Sequence, residues 1–141
     1  MQQPWRGLGY DAAGLASFLG RSAGEGQVRV ARAGARGAVL GVLVLQPAVL
    51  LGSFVSLLAV HPEVARRGVG RALMEHAQAE TFARRRWLFV SADADNRAAL
   101  AFYRRLGFAR VGRLPDLVRD GRTEILLRQG RPTASSTDKR R

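Results

Sequence analysis

The sequence predicts an α/β fold built on a mixed β-sheet, and three observations carry that prediction. Segment 53–60 (Ser-Phe-Val-Ser-Leu-Leu-Ala-Val) is apolar on both faces, as a central strand is. It leads through a turn holding Gly68 and Gly70 into a helical pattern, and a second strand-then-helix unit follows it. Two more strand patterns close the chain, whose 141 residues make about one domain with enough apolar content for a core.

The first helical pattern is 11–20, with Asp11 as N-cap, Leu15, Phe18 and Leu19 on one side, and Gly20 as its stop. Segment 27–32 alternates, placing Val28 and Val30 on one face, and 38–45 is a Val/Leu run. The glycine-containing link 33–37 suits a hairpin between them. The third strand, 53–60, stops at His61-Pro62, because proline has no N–H for the ladder. A helix fits 69–84, with Val69, Leu73, His76 or Ala77, and Glu80 at helical spacing. Arg84, Arg85 and Arg86 follow at its C-terminus, where cations suit the helix dipole. After the strand 87–91, Asn96 caps a helix over 97–106 that ends at Gly107, a residue suited to the left-handed cap. Segments 108–114 and 123–128 read as the last two strands, joined by the loop 114–122.

Beyond the domain at 1–129, the segment 130–141 mixes Pro, Ser, Thr and charge without apolar periodicity, and reads as a disordered basic tail. The chain has no cysteine and only two histidines, His61 and His76, which excludes disulfides, thiolate catalysis and a three-histidine metal site. No metal is expected. The longest apolar run, 38–51, is broken by Gly41, Gln46 and Pro47 and falls short of a membrane span, and residues 1–6 lack a signal pattern. A cytoplasmic protein with no membrane partner is the expectation.

The formal charge is +12, and all 23 basic residues but Lys139 are arginine. Such a field attracts phosphates, nucleotides, nucleic acid or acidic surfaces, although an arginine-favouring genome produces the same excess.

Chemistry concentrates where the third strand meets the glycine turn, His61-Pro62-Glu63-Val64-Ala65-Arg66-Arg67-Gly68-Val69-Gly70-Arg71. Unpaired N–H groups at a helix N-terminus, together with the dipole, can hold a phosphate, and glycine permits close approach. Neither the dinucleotide fingerprint nor a Gly-Lys-Ser/Thr loop is present. A second constellation follows the next strand: Asn96, Ala99, Tyr103, Gly107 and Phe108.

With the Val-x-Pro strand end and the Gly-x-Gly turn in this order, the chain resembles the GNAT N-acetyltransferase family over about 5–128, most specifically over 54–108. The resemblance implies a three-layer fold around a central mixed, largely antiparallel sheet. It implies acetyl-coenzyme A as co-substrate, with the pantetheine arm paired to backbone at Leu58, Ala59 and Val60. The pyrophosphate would lie on amides of Arg66, Arg67, Gly68, Val69, Gly70 and Arg71, with the arginines neutralising charge. Asn96 would hydrogen-bond the co-substrate near the pantetheine, and Tyr103 would protonate the departing thiolate. The oxyanion would take an N–H from 58–60.

Three positions depart from the family pattern. Ala65 stands where Arg or Gln is usual, and Ser56 stands where many relatives carry a glutamate that receives the amine proton. Serine is no base at neutral pH, which leaves water or a carboxylate among Asp93, Asp95, Asp116 and Glu124, unranked. The family's opening strand is missing or truncated here, since Trp5 comes almost at once: it lies upstream, is lost, or is supplied by a partner. An open sheet edge favours pairing between chains, hence a homodimer. Trp5 reads as an anchor packed on the sheet, and His61, His76 and Glu63 are assigned no site.

The leading reading is an N-acetyltransferase acting on a primary amine of a small molecule or a protein N-terminus, with Trp5 and the loop at Leu114 and Asp116 bordering the acceptor groove. The alternatives are an arginine-rich RNA- or ribosome-binding module, and a protein that binds coenzyme A without turnover.

Overall fold

The computed structural model describes residues 21–133 apart from 22, 26, 35 and 36. The helix expected at 11–20, Trp5, the expected loss of a first strand and the tail beyond residue 133 lie outside the described residues. Within them, six strands form one sheet: β1 (Val28–Arg32), β2 (Val39–Val49), β3 (Gly52–Val60), β4 (Trp87–Asp93), β5 (Ala109–Pro115) and β6 (Thr123–Gly130), in the order β1-β2-β3-β4-β6-β5. Two helices, α1 (Val69–Phe82) and α2 (Arg97–Arg105), follow β3 and β4. Every neighbouring pair is antiparallel except β3 with β4, so the sheet is mixed as expected.

The parallel junction decides where the site lies. β3 and β4 share only three pairs, Gly52↔Trp87, Ser53↔Leu88 and Phe54↔Phe89, and then separate. Just past the last pair, the β2–β3 register moves from Leu45↔Val55 to Val44↔Leu57, which leaves Ser56 as the extra residue of a bulge. A bulge bends its own strand, here turning the end of β3 away from β4. His61 N–H donates to the Leu40 carbonyl at 2.7 Å, so backbone groups of Leu57 and Ala59 face β2 by strand alternation. Those of Leu58 and Val60 therefore face the open gap.

β2 runs past the expected end at Leu45, through Pro47, to Val49. A second register shift between Gln46 and Val49 frees Pro47 from donating to the ladder, which is why a proline is tolerated there.

The inward face of α1 is Leu73, Met74, Ala77 and Thr81. Of the expected alternatives His76 or Ala77, it is Ala77 that is buried; His76 is exposed, and the expected Glu80 is corrected: it is half-buried at the edge of that face, 3.2 Å from His76, and accepts from Arg29 Nε on β1 at 2.9 Å. Gly41 lets α1 lie on the sheet, because a β-carbon there would stand 2.9 Å from Val69 Cγ1 and 3.0 Å from Leu73 Cδ1. The second helix covers the same face: Gly70 lies against Phe102, and Gln78 Nε2 donates to the Leu106 carbonyl at 3.2 Å. Between helices and sheet lies the core, with Leu43, Met74, Leu88, Val90, Ile125 and Leu127 almost fully buried. Each such side chain contributes about 1.5–3 kcal/mol relative to exposure.

Candidate functional site

The gap between the ends of β3 and β4 opens into a cavity of about 780 Å³, bounded by β6, α2 and the loop before β6. Its polar lining includes Ser56, Ser91, Asn96, Tyr103 and Glu124. Ser56 Oγ is buried without a hydrogen-bond partner among the described residues, an orphaned hydroxyl on the bulge that faces this space.

Tyr103 sits one helical face below Asn96 and Ala99, which is why the three reach one cavity. It is 7% exposed, with edge-on ring contacts to Phe102 (5.3 Å) and Phe108 (5.8 Å). Burial, helped by the negative charge of Glu124, pushes its phenol up to about 12, so the hydroxyl keeps its proton at neutral pH. Asn96 caps α2 as expected, its Oδ1 accepting from Ala99 N–H at 3.1 Å. That fixes the amide flip and turns Nδ2, a donor, to the other side.

Leu58 also lines the cavity, whereas Ala59, Val60 and the segment 66–71 lie beyond its rim, where β3 passes into the glycine turn. A 3₁₀ turn, Pro62–Val64, capped by His61 Nδ1 accepting from Glu63 N–H at 3.1 Å, carries the chain there. Arg66 (φ +67°) and Gly68 (φ +86°) both take left-handed conformations. The first bond of α1 runs from Ala72 N–H to the Gly68 carbonyl, leaving the first-turn amides of Val69, Gly70 and Arg71 without helical acceptors. Alternating handedness followed by a helix start is a concave anion cradle. A β-carbon on Gly70 would point at β3 and the second helix, 3.5 Å from Val60 Cγ2 and 3.6 Å from Phe102 Cζ. Arg66 and Arg67 are exposed beside it, while Arg71 is engaged with Glu75 at 3.1 Å.

Of the four carboxylates left unranked by the sequence, three are committed elsewhere. Asp93 receives two hydrogen bonds from Arg122 (2.9 and 2.8 Å) and one from Asp95 N–H (2.8 Å). Asp95 is exposed, 3.3 Å from the same guanidinium, and Asp116 accepts from Gly121 N–H at 2.7 Å. Glu124 is 4% exposed and lines the cavity. The sequence reading missed Ser91 as its partner: strand alternation puts Ser91 on the same face of the sheet as Asp93, but the pairing of β4 with β6 that brings Glu124 to that face is tertiary. Asp93 is held below the usual carboxylate range, first by Arg122 and then by the Asp95 amide. Its folded value lies under its unfolded one, so its stabilisation is complete above the unfolded value and fades as pH falls through the folded one. Asp93→Asn is expected to flatten the loss of stability between about pH 5 and 2, read by urea melts at stepped pH; an unchanged acid limb would refute this.

Residues 24–110 match the family model described as the acetyltransferase (GNAT) domain. The chain belongs to the GNAT acetyltransferase family. Solved structures similar to this GNAT chain include the ribosomal-protein-S18-alanine N-acetyltransferase from Escherichia coli, at 28% identity and TM-score 0.61 over 70% of this chain. The chain spans 66% of that protein's length, just under two thirds. Nourseothricin acetyltransferase is 28% identical with TM-score 0.67, over 77% of this chain and 68% of its own. The NatB acetyltransferase complex bound to CoA and MES shares the fold at 14% identity, TM-score 0.73, over 82% of both chains. No curated protein matches the sequence closely enough to count as a relative. Among the described residues, no helix is long and apolar enough to cross a membrane, and no cluster of His, Asp or Glu is arranged to hold a metal.

Proposed function

We propose that this GNAT chain transfers the acetyl group of acetyl-coenzyme A to a primary amine, on a small molecule or a protein N-terminus, with Tyr103 as general acid. The observation that carries the reading is the gap between β3 and β4, with the Tyr103 hydroxyl-bearing ring against it and the amide cradle of the glycine turn at its open end. The residues present fit the co-substrate. The cradle at Arg66, Gly68, Val69, Gly70 and Arg71 suits a pyrophosphate, with Arg66 and Arg67 at hand to neutralise charge. Leu58 and Val60 offer unpaired backbone groups to an extended amide-bearing arm, and Asn96 Nδ2 offers one more donor.

Acetyl-coenzyme A supplies an activated carbonyl with a thiolate as leaving group. The N–H of Leu58 or Val60, facing the gap, stabilises the oxyanion that develops when the amine attacks. Tyr103 gives its proton to the sulfur as the C–S bond breaks. With the phenol near 12 and a thiol near 8.5, that transfer alone is uphill by about 5 kcal/mol. It therefore runs together with loss of the second proton from nitrogen, which restores the phenol, so phenolate does not accumulate.

The fused readings separate by experiment. Calorimetric titration with acetyl-coenzyme A at two salt concentrations should give saturable one-to-one binding, and a panel of amines, including an alanine-initiated tripeptide, should then reveal turnover. Binding only to RNA, falling steeply with salt, would favour the arginine-rich module instead. The ring of Trp87 is not an open stacking platform for bases, since Arg128 and Arg86 lie over it at 4.0 and 5.2 Å. Gly70→Leu should weaken acetyl-coenzyme A binding at least ~10-fold, because its side chain would project against Val60 and Phe102 and push the helix start that presents the cradle amides out of place. Unchanged affinity in that variant would remove the turn from the binding site.

A further inference from the structure

We propose that Glu124 is the proton acceptor for the incoming amine and that Ser91 is its positioning residue; this rests on the acetyltransferase reading above. Glu124 begins the inner end of β6, opposite Asp93 of β4 and Leu114 of β5. Ser91 Oγ donates to its Oε1 at 3.1 Å, and among the described residues no hydrogen bond engages Oε2. Oε2 is not among the buried atoms left without a partner, and Glu124 lines the cavity, so this oxygen is placed to meet a substrate there. Both Ser91 and Glu124 line the same cavity as Tyr103, so acid and base flank one space.

The charged and titratable neighbours are few. Asp93 from β4 and Arg122 from the preceding loop act in opposite senses on Glu124, Tyr103 faces it from α2, and Asp95 and Arg119 stand at the cavity rim. Burial dominates and raises its carboxyl above the usual range, Ser91 lowers it, and Asp93 raises it. A base whose affinity for protons is raised toward neutrality is better matched to an ammonium group than an ordinary carboxylate. In the step, R–NH3+ loses one proton to Glu124 Oε2, the nitrogen lone pair attacks the acetyl carbonyl, and Glu124 later releases that proton to solvent. One proton thus leaves per acetyl group transferred.

The test compares wild type with Glu124→Gln and Ser91→Ala, using an alanine-initiated tripeptide and its trifluoroalanine counterpart, whose amine is already neutral at assay pH. Glu124→Gln should cut kcat/KM for the alanine peptide by about 10²–10³-fold, with a loss at least ~10-fold smaller for the fluorinated peptide. Its acetyl-coenzyme A affinity should stay within about twofold, since Glu124 lies away from the cradle. Its thermal midpoint at neutral pH should rise, because a group with a raised folded pKa loses stability as pH climbs through that value. Carbon-detected NMR of the Glu124 carboxyl should titrate above the usual range in wild type and higher still in Ser91→Ala, with the acid limb of the pH–rate profile moving alike. Equal losses on both peptides, undiminished turnover in Glu124→Gln, or a carboxyl titrating in the ordinary range would each overturn the assignment. Failure of wild type to bind acetyl-coenzyme A would instead overturn the acetyltransferase reading, and the NMR titration would still judge Glu124.

Discussion

Tyr103→Phe is expected to lower kcat by about 10²–10³-fold while leaving the affinity for acetyl-coenzyme A within about twofold. The substitution removes one oxygen and keeps the ring, so the edge-on contacts to Phe102 and Phe108 survive and the cavity keeps its wall. What disappears is a buried proton held on oxygen at neutral pH by desolvation. Without it the thiolate must leave unprotonated or wait for water, and the chemical step slows while binding does not. Single-turnover rates and calorimetry together decide the matter: a variant with wild-type turnover would strip Tyr103 of the acid role, and one that lost binding would make it a structural residue.

The largest effect on stability is expected from Gly52→Ala. Gly52 is buried at the first of the three parallel pairs, and a β-carbon there would stand 2.2 Å from the Trp87 carbonyl oxygen and 2.8 Å from its carbon. Those atoms belong to backbone, so no rotamer change relieves the clash and β3 must move away from β4. A cost of at least about 3 kcal/mol follows, a large share of the 5–15 kcal/mol that holds a typical domain. The strand junction is also the vertex from which the gap opens, so acetyl-coenzyme A affinity should fall with stability. Urea denaturation reads the first effect, and a midpoint within error of wild type would show that the junction yields more easily than its geometry indicates. Gly41→Ala is a useful comparison, because there the nearest atoms are tips of Val69 and Leu73 side chains, which can shift.

Local patterns were enough for the elements themselves. Alternation marked β1, continuous apolar residues marked β3, the Asn96 cap and Gly107 bounded α2, and each appears within a few residues of its expected place. The boundaries that differ have tertiary causes. β2 outlasts its apolar run because a bulge releases Pro47, and β6 continues to Gly130 because Trp87 on β4 pairs with it. The inward face of α1 was legible at Leu73 and at Ala77, one of the two alternatives, but not at Met74 and Thr81, since Glu80 satisfies the helical period as well as they do. Arg29, from a strand distant in sequence, holds Glu80 half-buried at the β1 edge.

By itself the sequence determined the fold class, the order of its elements, the glycine turn and the place of Tyr103 on α2. These depend on chemistry within one turn or one strand, where neighbours in sequence are neighbours in space. Tertiary structure alone decided how far β3 leaves β4, that Ser56 is the bulged residue, and which of four carboxylates stands buried on the cavity that Tyr103 also lines, with Ser91 as its hydrogen-bond donor. Asp93, Asp95, Asp116 and Glu124 are equivalent as letters. They differ because Arg122 folds back onto the first two, a turn amide claims the third, and β6 carries the fourth to a position where burial raises its proton affinity.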